Sequence, residues 1–275
     1  MFDTHCHLNF QAFDGRVEAV INGAKKAGVN YFVVPGTDIE SSKKAVEIAQ
    51  KFVGVYAAVG IHPHHVYKKF EAQNSNVKTE ILEIEKLLVN PKVVAVGEVG
   101  VDRHYYNKTK YPNYQIEESF IKLQKDFLKK QIELAIEYKK SLILHNREAK
   151  KDFLEVLENR WDRGLEGKTV FHCCEPEKEL LEFAKIYKIY IGVDGDVIYR
   201  KDKQEFIKKI PLDRLVLETD SPFLLPQQLK EENKSGNEPK NLPLIASYIA
   251  TKIGIEYSKL EKVTEENSKK LFQIF

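Results

Sequence analysis

The sequence predicts one α/β domain over residues 1–275, a (β/α)8 TIM barrel. Three observations lead there. Short apolar runs alternate with amphipathic stretches along the whole chain. The runs are almost continuously apolar, as parallel strands covered on both faces must be. Most of them end in an imidazole or a carboxylate, and polar groups at strand ends build the active face of a barrel. A fold of typically ~250 residues fits the length without strain.

Strands are expected near 2–5, 30–35, 55–61, 93–98, 141–145, 168–172, 188–193 and 214–219. Helices are expected at 14–27, 41–52, 78–89, 116–139, 148–160, 177–187 and 201–209. The stretch 116–139 repeats Phe120, Leu123, Phe127, Leu128, Ile132 and Ala135 at helical period. The segment 258–271 reads as a last helix on the outside of the barrel. A doubly wound open sheet is the competing fold. It cannot easily bring the ends of strands 1, 4, 5, 6 and 8 together, and a closed barrel does. Two long loops, 100–114 and 221–240, follow strands 4 and 8 and fall on the catalytic face. There is no fixed-period repeat and no low-complexity tract.

Composition narrows the classes. Hydrophobic residues make up 43%, enough for a sizeable core. Charged residues make up 31% yet nearly balance, at a formal +2. That argues against a strongly basic protein that coats nucleic acid, though not against a local basic groove. The three cysteines, Cys6, Cys173 and Cys174, have no framework spacing and suit a reducing compartment. They read as strand residues turned away from the site. The start of the chain lacks the order of a signal peptide, and no apolar run reaches the ~20 residues that cross a bilayer. The expectation is a cytoplasmic protein with no membrane association and no obligate protein partner.

The chemistry sits at the strand ends. His5 and His7 flank one residue, so on an extended chain they face one side and can grip one metal. Glu98 closes Val94-Ala95-Val96-Gly97-Glu98 and has two oxygens with which to bridge two cations. His145 and His172 close neighbouring strands and can share a second metal. Asp220 follows strand 8, beside strand 1 in a closed barrel. It can complete the first site or take a proton from metal-bound water. A set of merely buried histidines would leave many polar groups at one mouth with no common reason. Arg147, two residues after His145, can hold a phosphate by paired hydrogen bonds, or pair with Glu148. His62 suits a phosphate contact or a loop-anchoring hydrogen bond before Pro63. Asp102 can meet a sugar hydroxyl or orient a neighbour. Tyr105 and Tyr106 can stack bases or pack their own loop. His64 and His65 read as rim residues.

These motifs carry a resemblance. The chain resembles the TatD family of metal-dependent deoxyribonucleases, in the amidohydrolase superfamily, over nearly its whole length. The matching residues are Asp3-Thr4-His5-Cys6-His7-Leu8, Gly60-Ile61-His62-Pro63-His64, Gly97-Glu98-Val99-Gly100-Val101-Asp102, His145-Asn146-Arg147-Glu148-Ala149, Phe171-His172-Cys173 and Leu217-Glu218-Thr219-Asp220-Ser221-Pro222. The resemblance implies a first metal on His5, His7, Glu98 and Asp220, and a second on Glu98, His145 and His172. It implies 3′ to 5′ exonuclease action on DNA, and Glu98 as bridge and Asp220 as proton acceptor are then the expected catalytic carboxylates. Two divalent ions are therefore expected, with zinc, manganese or iron suiting the mixed nitrogen and oxygen donors better than magnesium. One departure stands out. Family members usually carry an aromatic, then Ser and Gly, after the His-Cys pair, where this chain reads Cys174-Glu175-Pro176. An added acid is unfavourable near a phosphate unless it faces away. The alternatives are a hydrolase of another ester, a lactone or an amide, and a metal- or nucleic-acid-binding module without turnover.

Overall fold

A computed structural model describes residues 1–73, 76–111, 113–226 and 236–274. Eight parallel strands lie in chain order in one sheet. They are β1 Phe2–Asp3, β2 Tyr31–Pro35, β3 Val55–Val59, β4 Val93–Asp102, β5 Ser141–Arg147, β6 Thr169–Phe171, β7 Tyr190–Val193 and β8 Leu215–Leu217. The seam between first and last is closed by backbone hydrogen bonds. Thr4 N donates to Leu217 O at 3.1 Å, Asp220 N to His5 O at 2.9 Å and His7 N to Ser221 O at 2.7 Å. Helices α1 Val17–Lys26, α2 Ile39–Lys51, α3 Tyr67–Glu71, α4 Lys78–Leu88, α5 Glu118–Glu137, α6 Lys150–Arg160, α7 Lys178–Ile186, α8 Lys201–Phe206, α9 Leu242–Ile253 and α10 Tyr257–Leu271 surround it. Among the described residues, no helix is long and apolar enough to cross a membrane.

Strand alternation splits the core in two. Phe32 and Val34 face the helices, while Val33 between them faces the barrel axis. Each strand sends one such residue inward: Phe2, Val33, Ala58, Ala95, Ile143, Val170, Tyr190 and Val216. Leu271 and Phe272, at the end of α10, join this inner layer, and Phe272 stacks on Phe2 with ring centroids 5.8 Å apart. The final helix therefore does more than pack outside, as its sequence suggested. Its end lays the floor of the barrel, and Ser141 Oγ ties it there by donating to Leu271 O at 2.6 Å.

Two further differences from expectation matter. α9 was not anticipated, yet its signals are present. Leu242, Ile245, Ala246, Ile249 and Ala250 form a buried stripe, Pro243 sits near the start, and Gly254 follows the end at φ +72°. β4 does not stop at Glu98 but runs on to Asp102, with its register against β5 shifting between Val96 and Val99. Glu98 thus lies inside the strand at a bulge, a device that re-aims a side chain. Of the loop 221–240, residues 227–235 lie outside the described residues.

Candidate active site

The strand ends converge on one pocket of about 440 Å³. Its wall includes His7, His62, Glu98, His145, Arg147, His172 and Asp220, and His5 lies directly behind it. Backbone chemistry fixes several of these side chains. Gly100 pairs with His145 across β4 and β5, and a Cβ there would stand 1.8 Å from His145 O, so only glycine permits the approach. Asp220 sits at φ +51° and Cys173, beside His172, at φ +43°. Left-handed backbone at non-glycine residues is uncommon and gathers at functional turns.

Glu98 stands at the centre, 4% exposed. Its Oε2 lies 3.4 Å from His5 Nε2 and 3.7 Å from His7 Nε2. Its Oε1 lies 2.8 Å from His145 Nδ1, 3.6 Å from His62 Nε2 and 3.7 Å from His172 Nε2. Asp220 Oδ1 adds contacts of 3.4 Å to His7 Nε2 and 3.8 Å to both His5 and His172 Nε2. Most of these separations are long for hydrogen bonds. The two 3.4 Å separations match two donors on one cation, since ligands at ~2.0–2.1 Å from a metal stand about 3–3.5 Å from each other, and those of 3.6–3.8 Å are slightly wider. Three donor groups have ligand atoms within 4.8 Å of one another around the pocket: His5, His7 and Asp220; His5, His172 and Glu218; and His62, Asp102 and His145. The mixed donors fit a divalent transition metal.

Carboxylates and imidazoles shift one another's protonation here. Burial opposes ionisation of Glu98, but the surrounding histidines His62, His5 and His172 hold it well below the usual carboxylate range. Burial likewise disfavours charged His145 and His172. Hydrogen bonds to Asp102 and Glu98 nevertheless push His145 up to about 9, and Glu218 and Glu98 push His172 up to about 10. Burial dominates at His5 and His62, whose pKa values fall.

The proposed substrate contacts divide. Arg147 lies over the Tyr106 ring at 5.3 Å and donates to its hydroxyl at 3.2 Å. It does not take Glu148, which pairs with His104 at 2.6 Å. His62 accepts from His64 N at 3.1 Å through Nδ1 and turns Nε2 to the pocket, so it both anchors its loop and faces the site. For Asp102, the contacts favour the second of its two expected roles, orienting a neighbour. It is fully buried, and its oxygens take Tyr106 Oη at 2.7 Å, His145 Nε2 at 3.2 Å and His104 N at 2.8 Å. Its place is to orient His145. His64 and His65 bind Thr109 and Tyr111 at the rim, and Tyr105 stays exposed.

Glu175 is answered by Arg200, whose Nη1 and Nη2 donate to its two oxygens at 3.1 and 2.9 Å. The added acid is neutralised within the rim. The cysteines are free. Cys173 Sγ, Asp194 and Asp196 do form a donor cluster, but Lys203 Nζ lies among them, at 3.3 Å from the sulfur and 2.8 Å from Asp196.

Two groups escaped the sequence reading. Glu218 accepts from Cys173 N at 2.6 Å and from Thr4 Oγ1 at 3.3 Å, and lies 3.0 Å from His172 Nδ1. Its signal was its place two residues before Asp220. Asp3 accepts from Thr219 N at 3.0 Å and Thr219 Oγ1 at 2.6 Å, and burial pushes it up to about 8. It braces the turn that carries Asp220.

A closed parallel barrel whose C-terminal mouth holds buried imidazoles and carboxylates around a shared centre is that of a metal-dependent hydrolase. The family model described as TatD related DNase matches residues 2–273, and the chain belongs to that family. It is 32% identical to an uncharacterized metal-dependent hydrolase, YabD, of Bacillus subtilis (strain 168), covering 100% of this chain and 99% of that protein. It is 33% identical to the 3′-5′ ssDNA/RNA exonuclease TatD of Edwardsiella piscicida, over 100% of both. The crystal structure of YjjV, a TatD homolog from Escherichia coli K12, superposes with a TM-score of 0.85 at 25% identity. It covers 100% of this chain and 98% of that one.

Proposed function

We propose that this hydrolase removes nucleotides from the 3′ end of single-stranded DNA, using two divalent cations. The observation that carries the reading is Glu98. One of its oxygens faces His5 and His7 and the other faces His145, the arrangement a bridging carboxylate needs. When bound, such ions lower the pKa of water and neutralise charge developing on a phosphate. His5, His7 and Asp220 would hold a first ion and His145 and His172 a second, with Glu98 between them. Asp220, at the pocket edge, accepts the proton of the attacking water. Arg147, braced on Tyr106 and without a carboxylate partner among the described residues, holds the scissile phosphate, with His62 beside it. The relatives named as ssDNA/RNA exonucleases support the substrate class. Three free thiols suit a cytoplasmic setting.

The test is digestion of 5′-labelled single-stranded DNA and RNA, with zinc, manganese, iron or magnesium supplied separately. A ladder shortening from the 3′ end is expected. Hydrolysis of a lactone or simple ester with no oligonucleotide cleavage under any metal would replace the reading with another hydrolase activity.

A further inference from the structure

The proposed chemistry uses the polar side of the pocket and leaves an aromatic corner unassigned. Phe223 lies in the pocket wall next to Leu224 and remains 50% exposed. Its ring meets Phe10 edge-on at 6.0 Å and 79°, and meets His7 at 6.0 Å and 74°. Phe10 in turn lies flat on His7 at 4.3 Å. The exposed ring is thus supported by two others and stands beside a candidate metal ligand.

Its position is fixed to the reacting centre. Phe223 N donates to Asp220 O at 2.8 Å. Asn237 clamps the same turn, its N donating to Pro222 O at 3.0 Å and its Nδ2 to Thr219 O at 2.8 Å. The backbone that carries the ring is hydrogen-bonded in place, which lowers the cost of presenting the ring to a ligand. Single exposed apolar residues are ordinary on protein surfaces. A half-open aromatic face on a hydrogen-bonded turn that begins at Asp220 is a different matter. The pocket volume, about 440 Å³, suits one compact ligand unit.

We infer that Phe223, backed by Phe10, is a shelf on which the base of the terminal nucleotide stacks while its phosphate lies at the metal centre. The inference deepens the nuclease reading and rests on it. Stacking on a π face accepts any base. Phe223 therefore selects for the presence of a base and not for its identity, and Arg147 on Tyr106 grips the phosphate. Phe223 is a positioning residue in this scheme.

The experiment compares two single-stranded oligonucleotides, one ending in a normal 3′ nucleotide and one ending in an abasic sugar, at fixed metal and salt. Wild type should favour the base-bearing end by about tenfold in kcat/KM, the scale of one base stacked on an aromatic ring. In Phe223→Ala that ratio should collapse toward one, chiefly through a higher KM for the base-bearing end. Phe223→Tyr should restore it. Purine and pyrimidine ends should behave alike. A ratio in Phe223→Ala equal to that of wild type overturns the shelf, as does a wild type that cuts both ends equally well. A wild type that cuts neither end overturns the nuclease reading and the shelf with it.

Discussion

His172 turns its Nδ1 onto Glu218, 3.0 Å from Oε1, and so keeps Nε2 for the pocket. The same buried carboxylate takes Cys173 N and Thr4 Oγ1, joining the ends of β1, β6 and β8 through one side chain. A carboxylate behind a ligating imidazole fixes its tautomer and raises its basicity.

Glu218→Gln should therefore weaken metal binding by ~10–100-fold while the barrel stays folded. Titration calorimetry beside a circular dichroism melt separates the two effects. Unchanged metal affinity would show that His172 is oriented by other groups.

Glu98→Gln keeps the shape and removes the charge shared by His5 and His145. Both metals should weaken together. His172→Ala should weaken the second more than the first. Metal stoichiometry read by titration checks this, and two full-affinity sites in Glu98→Gln would exclude bridging.

Asp220→Asn should keep the fold, at least one metal and most DNA affinity, but lose turnover by about 10²–10⁴-fold, the usual contribution of a general base. Arg147→Ala should instead weaken phosphate binding by roughly 1–3 kcal/mol. The losses should fall in kcat for the first and in KM for the second, in steady-state kinetics on one oligonucleotide. Near wild-type turnover in Asp220→Asn would remove its role as proton acceptor.

Phe272→Ala should destabilise the fold by about 3–5 kcal/mol, the cost of deleting a buried aromatic ring. The floor lies at the far end of the barrel from the metal pocket, so metal affinity should change little in the folded protein. Denaturant unfolding gives the first quantity and metal titration the second. A loss under 1 kcal/mol would mean that the inner layer closes without it.

The barrel was legible because parallel strands leave continuous apolar runs, and because each run points to the next feature. Val55–Val59 leads to His62, Ser141–Arg147 carries His145, and Thr169–Phe171 leads to His172. The convergence of those residues follows from closure. What the sequence hid were relations across strands. Nothing local to Asp102 says that His145, on the next strand, is the neighbour it meets. Nothing local to Glu175 says that Arg200, beyond β7, neutralises it. The bulge that aims Glu98 depends on the register of β4 against β5, which neither strand encodes alone. α9 is different, because its apolar stripe and terminal glycine are local to its own sequence.

The floor formed by Leu271 and Phe272 also sets an order of events. Those residues are synthesised after all eight strands. A nascent chain that has already emerged as far as β8 still has an apolar shaft open at its base. The inner layer can be sealed only when the end of α10 has followed β8 off the ribosome, so the floor comes after every strand it covers.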